Sequence, residues 1–123
     1  GQLASPQPLK QVATRVCRFL KINGLHQVGQ DDQSITTIGV ACGSAGSFLE
    51  PARQAGCDLL VTGETSFHTC LEAEAEGVAL LLPGHYASER FGVEALAEVL
   101  AREFPKLKIW ASERESDPLA WKS

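Results

Sequence analysis

The chain has no methionine, a single tyrosine, three histidines and four cysteines in 123 residues. Without methionine, and opening on Gly1, it is not an unprocessed translation product and reads as trimmed or as a piece of a longer protein. No two cysteines form a C-x-x-C pair, which removes that redox and zinc signature. Cys17, Cys57 and Cys70 sit in or beside predicted helices and strands and read as buried free thiols. No apolar run approaches the ~20 residues that a bilayer-spanning helix needs. The N-terminus lacks the basic and then apolar regions of a signal peptide, so the cytoplasm is the expected compartment and no membrane partner is expected. A net charge of -4 with no basic stripe argues against nucleic-acid binding.

What is present is an alternation. Residues 1–8 are polar, carry two prolines and read as a tail or severed linker. The remainder, 9–123, reads as one α/β domain with a modest core. Leu9, Val12, Ala13, Val16, Phe19 and Leu20 recur at helical spacing, and Asn23-Gly24 supplies a stop. The stretch 28–34 is polar and turn-like, and His26 reads as a surface residue in a polar loop.

Four strands follow, at 36–41, 58–61, 78–82 and 107–111, with helices between them. The expected inward residues are Phe48, Leu49 and Ala52 in the first helix and Phe67, Cys70, Leu71 and Ala75 in the second. In the last they are Phe91, Ala95, Leu96, Val99 and Leu100. Residues 112–123 read as a polar tail. This order predicts a mainly parallel four-stranded sheet with packed helices. Ligands then collect beyond the carboxyl ends of the strands, where loops 42–47, 62–68 and 83–89 lie.

Gly84-His85-Tyr86-Ala87-Ser88-Glu89-Arg90 is the most informative of the three loops. It joins an apolar strand to a helix expected to run to about Phe104. His85 and Glu89 are four residues apart, so they can face one side and grip Zn, Mn or Fe. Alternatively, His85 is only a helix-entry residue and Glu89 a first-turn carboxylate that suits the helix dipole. Glu64 and His68 show the mirror spacing after the preceding strand. They could join the same crevice, or Glu64 could cap its helix while His68 is solvated.

Gly43, Ser44 and Gly46 form a glycine turn whose backbone N–H groups could hold an anion, or which is only a tight turn. Cys42, at the end of the first strand, has the position of a nucleophile at a strand-to-helix elbow, with His85 or His68 as base. Val40 stands where that elbow needs a glycine, so a structural cysteine is the simpler reading.

Taken in order, these segments resemble a known family. They are 38–46 (IGVACGSAG), 58–64 (DLLVTGE) with His68, 84–90 (GHYASER) and Asp117-Pro118. The chain is similar from Leu9 onward to the Nif-three-like proteins, often labelled GTP cyclohydrolase type-two homologues. The resemblance implies an α/β fold and a dinuclear metal site inside a ring-shaped hexamer. It makes His85 and Glu89 metal ligands, and puts Glu64 and His68 in the loop that lines the site, orienting ligands or moving protons. Ser88 stands where threonine is usual.

The family's N-terminal half supplies further ligands from a His-His pair and an Asp, and this chain has no His-His pair. It therefore resembles a C-terminal half, whose partner would be the N-terminal half of the same protein or further copies of itself. The function implied is dinuclear-metal-dependent hydrolysis, with two divalent ions per intact site and little activity in this chain alone. The alternative is a non-catalytic binding or assembly module that docks on a partner subunit.

Overall fold

The computed structural model describes residues 1–120. The elements are β1 (Gln2–Pro8), α1 (Leu9–Leu20), β2 (His26–Val28), β3 (Ser34–Ser44), α2 (Leu49–Gln54), β4 (Leu59–Glu64), α3 (Phe67–Glu76), β5 (Ala79–Leu82) and α4 (His85–Glu103). A single 3-10 turn, Gly46–Phe48, leads into α2.

The fold is α/β, as the alternation predicts, but the sheet has five strands in the order β1-β3-β4-β5-β2. The central three are parallel and the two edge strands are antiparallel to their neighbours. Both edges were missed in the sequence. Residues 1–8 are not a tail: Gln7 and Pro8 pair with Ile35 and Ser34, and Gln2 pairs with Thr37 across a bulge. A proline-bearing, mostly exposed strand is what a sheet edge tolerates. His26–Val28 pairs with Leu80–Leu82, so His26 lies on an edge strand rather than in a loop. The expected strand at 107–111 forms no ladder, and Leu107 and Trp110 are exposed.

β5 is buried along its whole length because both of its faces are covered. Alternate residues serve two cores. Leu60, Leu80 and Leu82 meet Leu49, Ala52 and Ala73 from α2 and α3. Leu59, Ala79 and Leu81 meet Leu9 and Val12 from α1, together with Ile35. Helix α1 spans the predicted residues but ends at Lys21, in the left-handed region at φ 56, ahead of Asn23-Gly24. Helix α3 is capped by Ser66, whose hydroxyl accepts the Thr69 N–H, and not by Glu64.

Helical periodicity misassigned several inward faces. Phe48, Phe67 and Leu71 are exposed, and Ala73 is the buried residue of α3. Along α4, Phe91, Leu96, Val99 and Leu100 are exposed with Val93, and only Ser88 is buried. The helix packs through its first turns, which sets the geometry of the loop before it.

Candidate metal centre

Parallel pairing of β3, β4 and β5 brings their carboxyl ends to one edge, and loops 42–47, 62–68 and 83–89 converge there. Gly84 N–H donates to the Gly63 carbonyl at 2.9 Å, joining the second and third loops. Ser88 joins the first and third. Its buried hydroxyl accepts the Gly43 N–H at 2.9 Å and donates to the His85 carbonyl at 2.8 Å. Thr62, 1 % exposed, donates to the Gly43 carbonyl at 3.2 Å and accepts the Ala45 N–H at 3.3 Å. Gly63 is a point of close approach to both other loops. A Cβ there would lie 2.5 Å from the Ser88 hydroxyl and 2.7 Å from the Gly43 carbonyl.

This packing presents His85 between two carboxylates. Its Nδ1 lies 2.8 Å from Glu64 Oε1, and its Nε2 lies 3.3 Å from Glu89 Oε1. The pairing raises the His85 pKa. The Glu64 hydrogen bond is the largest cause, partial desolvation opposes it, and the charges of Glu89 and Glu64 add to it. All three side chains are about half exposed. Gly43 keeps the space beside them open, since a Cβ at this left-handed position (φ 69) would lie 2.5 Å from Glu89 Oε1 and 3.2 Å from His85 Nε2.

The arrangement suits a divalent cation in one specific way. Nitrogen and oxygen donors each about 2.0–2.2 Å from a tetrahedral ion sit roughly 3.3–3.5 Å from one another. The Nε2–Oε1 distance of 3.3 Å falls in that range, and it equally suits a hydrogen bond from a protonated imidazole. Glu64 on the opposite ring nitrogen fixes the tautomer and orientation of the imidazole. The set is not closed. Among the described residues, no group of three or more His, Cys, Asp or Glu side chains is arranged to hold a metal ion.

Other candidate residues fall elsewhere. His68 is exposed on α3, its ring 6.1 Å from that of Phe67, and no hydrogen bond links it to His85, Glu64 or Glu89. Gly43, Ser44 and Gly46 do lie at the converging edge. However, the Gly43 and Ala45 N–H groups are committed to Ser88 and Thr62, and Glu89 places negative charge beside Gly43. Cys42 is an exposed free thiol within β3, not on an elbow, and the other three cysteines are free and half-buried.

Residue spacing gave no weight to Thr62 or Gly63, and Ser88 entered only through a motif. Their signal was available as small residues at the ends of adjacent strands, where loops must approach closely. Asp58 was also unassigned. One of its oxygens accepts both the Thr36 and Thr37 N–H groups at 2.8 Å, stapling the start of β3 to that of β4.

Fold and site together define an α/β protein with a carboxylate–histidine–carboxylate cluster at the carboxyl ends of its parallel strands. A family model described as Duf34/NIF3 (NGG1p interacting factor 3) matches residues 1–118. The chain belongs to this family. A Haemophilus influenzae protein named GTP cyclohydrolase 1 type 2 homolog is 33% identical over 104 residues, covering 85% of this chain and 41% of the relative. A protein of the same name from Bacillus subtilis is 30% identical over 125 residues, covering 98% of this chain and 33% of the relative. Among solved structures, Staphylococcus aureus protein SA1388 superposes with a TM-score of 0.86 at 29% identity, over 98% of this chain and 40% of that one. The Bacillus cereus protein related to NIF3 gives 0.82 at 26%, over 99% and 35%. The chain thus spans less than half the length of these relatives. No helix among the described residues is long and apolar enough to cross a membrane.

Proposed function

We propose that this chain is the metal-binding half of a divalent-metal-dependent hydrolase, with His85 and Glu89 as two of the ligands and Glu64 orienting His85. The observation that carries this reading is the placement of His85, held at Nδ1 by Glu64 and facing Glu89 at 3.3 Å through Nε2. Zn, Mn or Fe suits an imidazole–carboxylate pair. Bound there, such ions would lower the pKa of coordinated water and polarise the bond under attack.

The chain's own residues act around that chemistry. Glu64 holds the Nδ1 proton of neutral His85, leaving Nε2 free as a donor. Glu89 supplies negative charge against the cation. Ser88 and Thr62 lock the Gly43 turn against the first turn of α4, so the pair stays in register. Glu64 also lines the neighbouring cavity, where it can take a proton from a substrate. The relatives' shared name motivates GTP and other nucleotides as the first substrates to try, with phosphoesters beside them. Completion of the ligand set falls to the family's other half or to further copies of the chain, and the intact site would hold two ions.

Calorimetric titration with Zn and Mn tests the reading. This chain alone should bind weakly, and His85→Ala should abolish what binding there is. Sub-micromolar affinity unchanged in His85→Ala would overturn it. So would brisk phosphoester hydrolysis by the 123 residues alone.

One observation favours the second reading, a docking module. Phe19, Phe91, Val93, Leu96 and Val99 are exposed on α1 and α4. A module without chemistry would keep its fold and its assembly in Glu89→Gln and show no metal binding in any state.

A further inference from the structure

Helix α4 carries two pairs of residues four apart, offset by a single position. His85 and Glu89 face the metal centre. Tyr86 and Arg90, rotated by one residue along the helix, face the C-terminal segment. Arg90 spends its guanidinium in three directions. Nη1 donates to Glu115 Oε1 at 2.6 Å, Nη2 donates to the Ser112 carbonyl at 2.6 Å, and Nε lies 3.4 Å from Glu94 Oε1. The Tyr86 hydroxyl adds a bond to the Glu115 carbonyl at 3.3 Å. At 18% exposure, the Arg90 side chain is well sheltered for a charged group.

The segment held in this way continues into Asp117, Leu119 and Ala120. These three form one wall of a cavity of about 360 Å³ whose other walls include Glu64, Thr65 and Gly84. Asp117 Oδ1 accepts the Leu119 N–H at 2.9 Å, fixing the turn that faces the cavity. The segment has no strand pairing of its own to keep it there.

We propose that Arg90 is a positioning residue: it clamps segment 112–120 onto α4 so that Asp117, Leu119 and Ala120 enclose the cavity beside Glu64. A planar fork with several donors is needed, because one side chain must bridge a carboxylate and a carbonyl. The significance of this enclosure for catalysis rests on the metal reading above. The contact itself does not, so it is tested without metal.

The experiment is nuclear magnetic resonance of the metal-free chain with a soluble paramagnetic cosolute. Amides of Thr65 and Gly84, which line the cavity but do not touch Arg90, should relax several-fold faster in Arg90→Gln than in the native protein. Amides of Thr36 and Thr37, at the far end of the sheet, should not change. Arg90→Lys keeps one contact and should give an intermediate value. Glu115→Ala cuts the clamp from its exposed side and leaves α4 and the Arg90–Ser112 bond intact, so it should also give an intermediate value, which guards against a folding defect in the arginine variant. Zn titration of Glu115→Ala should match that of the native chain, since His85 and Glu89 are untouched. Unchanged relaxation of Thr65 and Gly84 in Glu115→Ala would overturn the proposal, whatever the metal titrations give.

Discussion

Replacing Ser88 by alanine tests whether the convergence of the three loops depends on a single hydroxyl. The substitution removes one oxygen atom and leaves the backbone alone. In the native chain that oxygen accepts the Gly43 N–H at 2.9 Å and donates to the His85 carbonyl at 2.8 Å. Ser88 is 5% exposed, and the Gly43 donor is buried with it. An orphaned buried N–H costs about 1–3 kcal/mol, and this sets the expected loss. For a domain of this size the loss lowers the melting temperature by roughly 3–6 °C per kcal/mol. Ser88→Thr keeps the oxygen and should retain most of the stability. The assay is urea unfolding of the three proteins, metal-free and at fixed pH, compared by midpoint at equal slope. A loss below about 0.5 kcal/mol in Ser88→Ala, the level of an ordinary surface substitution, would refute the reasoning. An equal loss in Ser88→Thr would refute it as well, because crowding at Gly63 rather than the hydrogen bond would then control the site.

Three more outcomes are expected. Gly43→Ala should cost about 1–2 kcal/mol for a left-handed non-glycine residue. Its Cβ should also swing the Glu89 carboxylate aside and weaken Zn binding about tenfold, read by calorimetry. Zn affinity should fall as pH drops through the raised His85 pKa, because proton and metal compete for Nε2; Glu64→Gln removes the first cause of the raised value and should move the midpoint of that loss to lower pH. The linkage to stability has the opposite sense, so whatever protonated His85 contributes to the metal-free fold is present in acid and lost as pH rises through its folded pKa. Asp58→Ala should cost about 2–4 kcal/mol in urea unfolding, since two backbone N–H groups lose a charged acceptor.

The legible part of the fold was that in which local pattern and tertiary environment agree. Residues 78–82 read as a buried strand because both faces of β5 are covered, and a continuous apolar run has no other economical solution. Helix α1 kept its predicted span because Leu9 and Val12 reach the sheet. Both edge strands were missed because their stability comes from a partner. The 1–8 segment is polar and proline-bearing, and only the neighbouring β3 makes it a strand. The reverse error, at 107–111, has the same root: an apolar run resembles a strand, but no neighbouring strand pairs with it.

The arrangement of the candidate residues was legible to the same degree. Four-residue spacing is a property of one helix, so His85 and Glu89 could be paired without knowing the fold. Glu64 joins them only because β4 and β5 are adjacent and parallel, which spacing does not encode. By identical spacing His68 should have followed Glu64. It does not, because Ser66 starts α3 between them and carries His68 onto the outer surface. A pair across a helix start is reliable only when both members lie inside the helix, as His85 and Glu89 do. The outward face of α4 extends the point to packing. Periodicity marked Leu96, Val99 and Leu100 for burial, yet the described residues leave them exposed, because a hydrophobic pattern specifies that a face will be covered and not which surface covers it. The chain spans less than half the length of the relatives it matches, so on the proposed function both the cover of α4 and the remaining ligands fall to a surface outside these 123 residues. Joining this chain to the remaining length of such a relative should bury α4 and, on the proposed function, complete the ligand set of His85 and Glu89 in a single step.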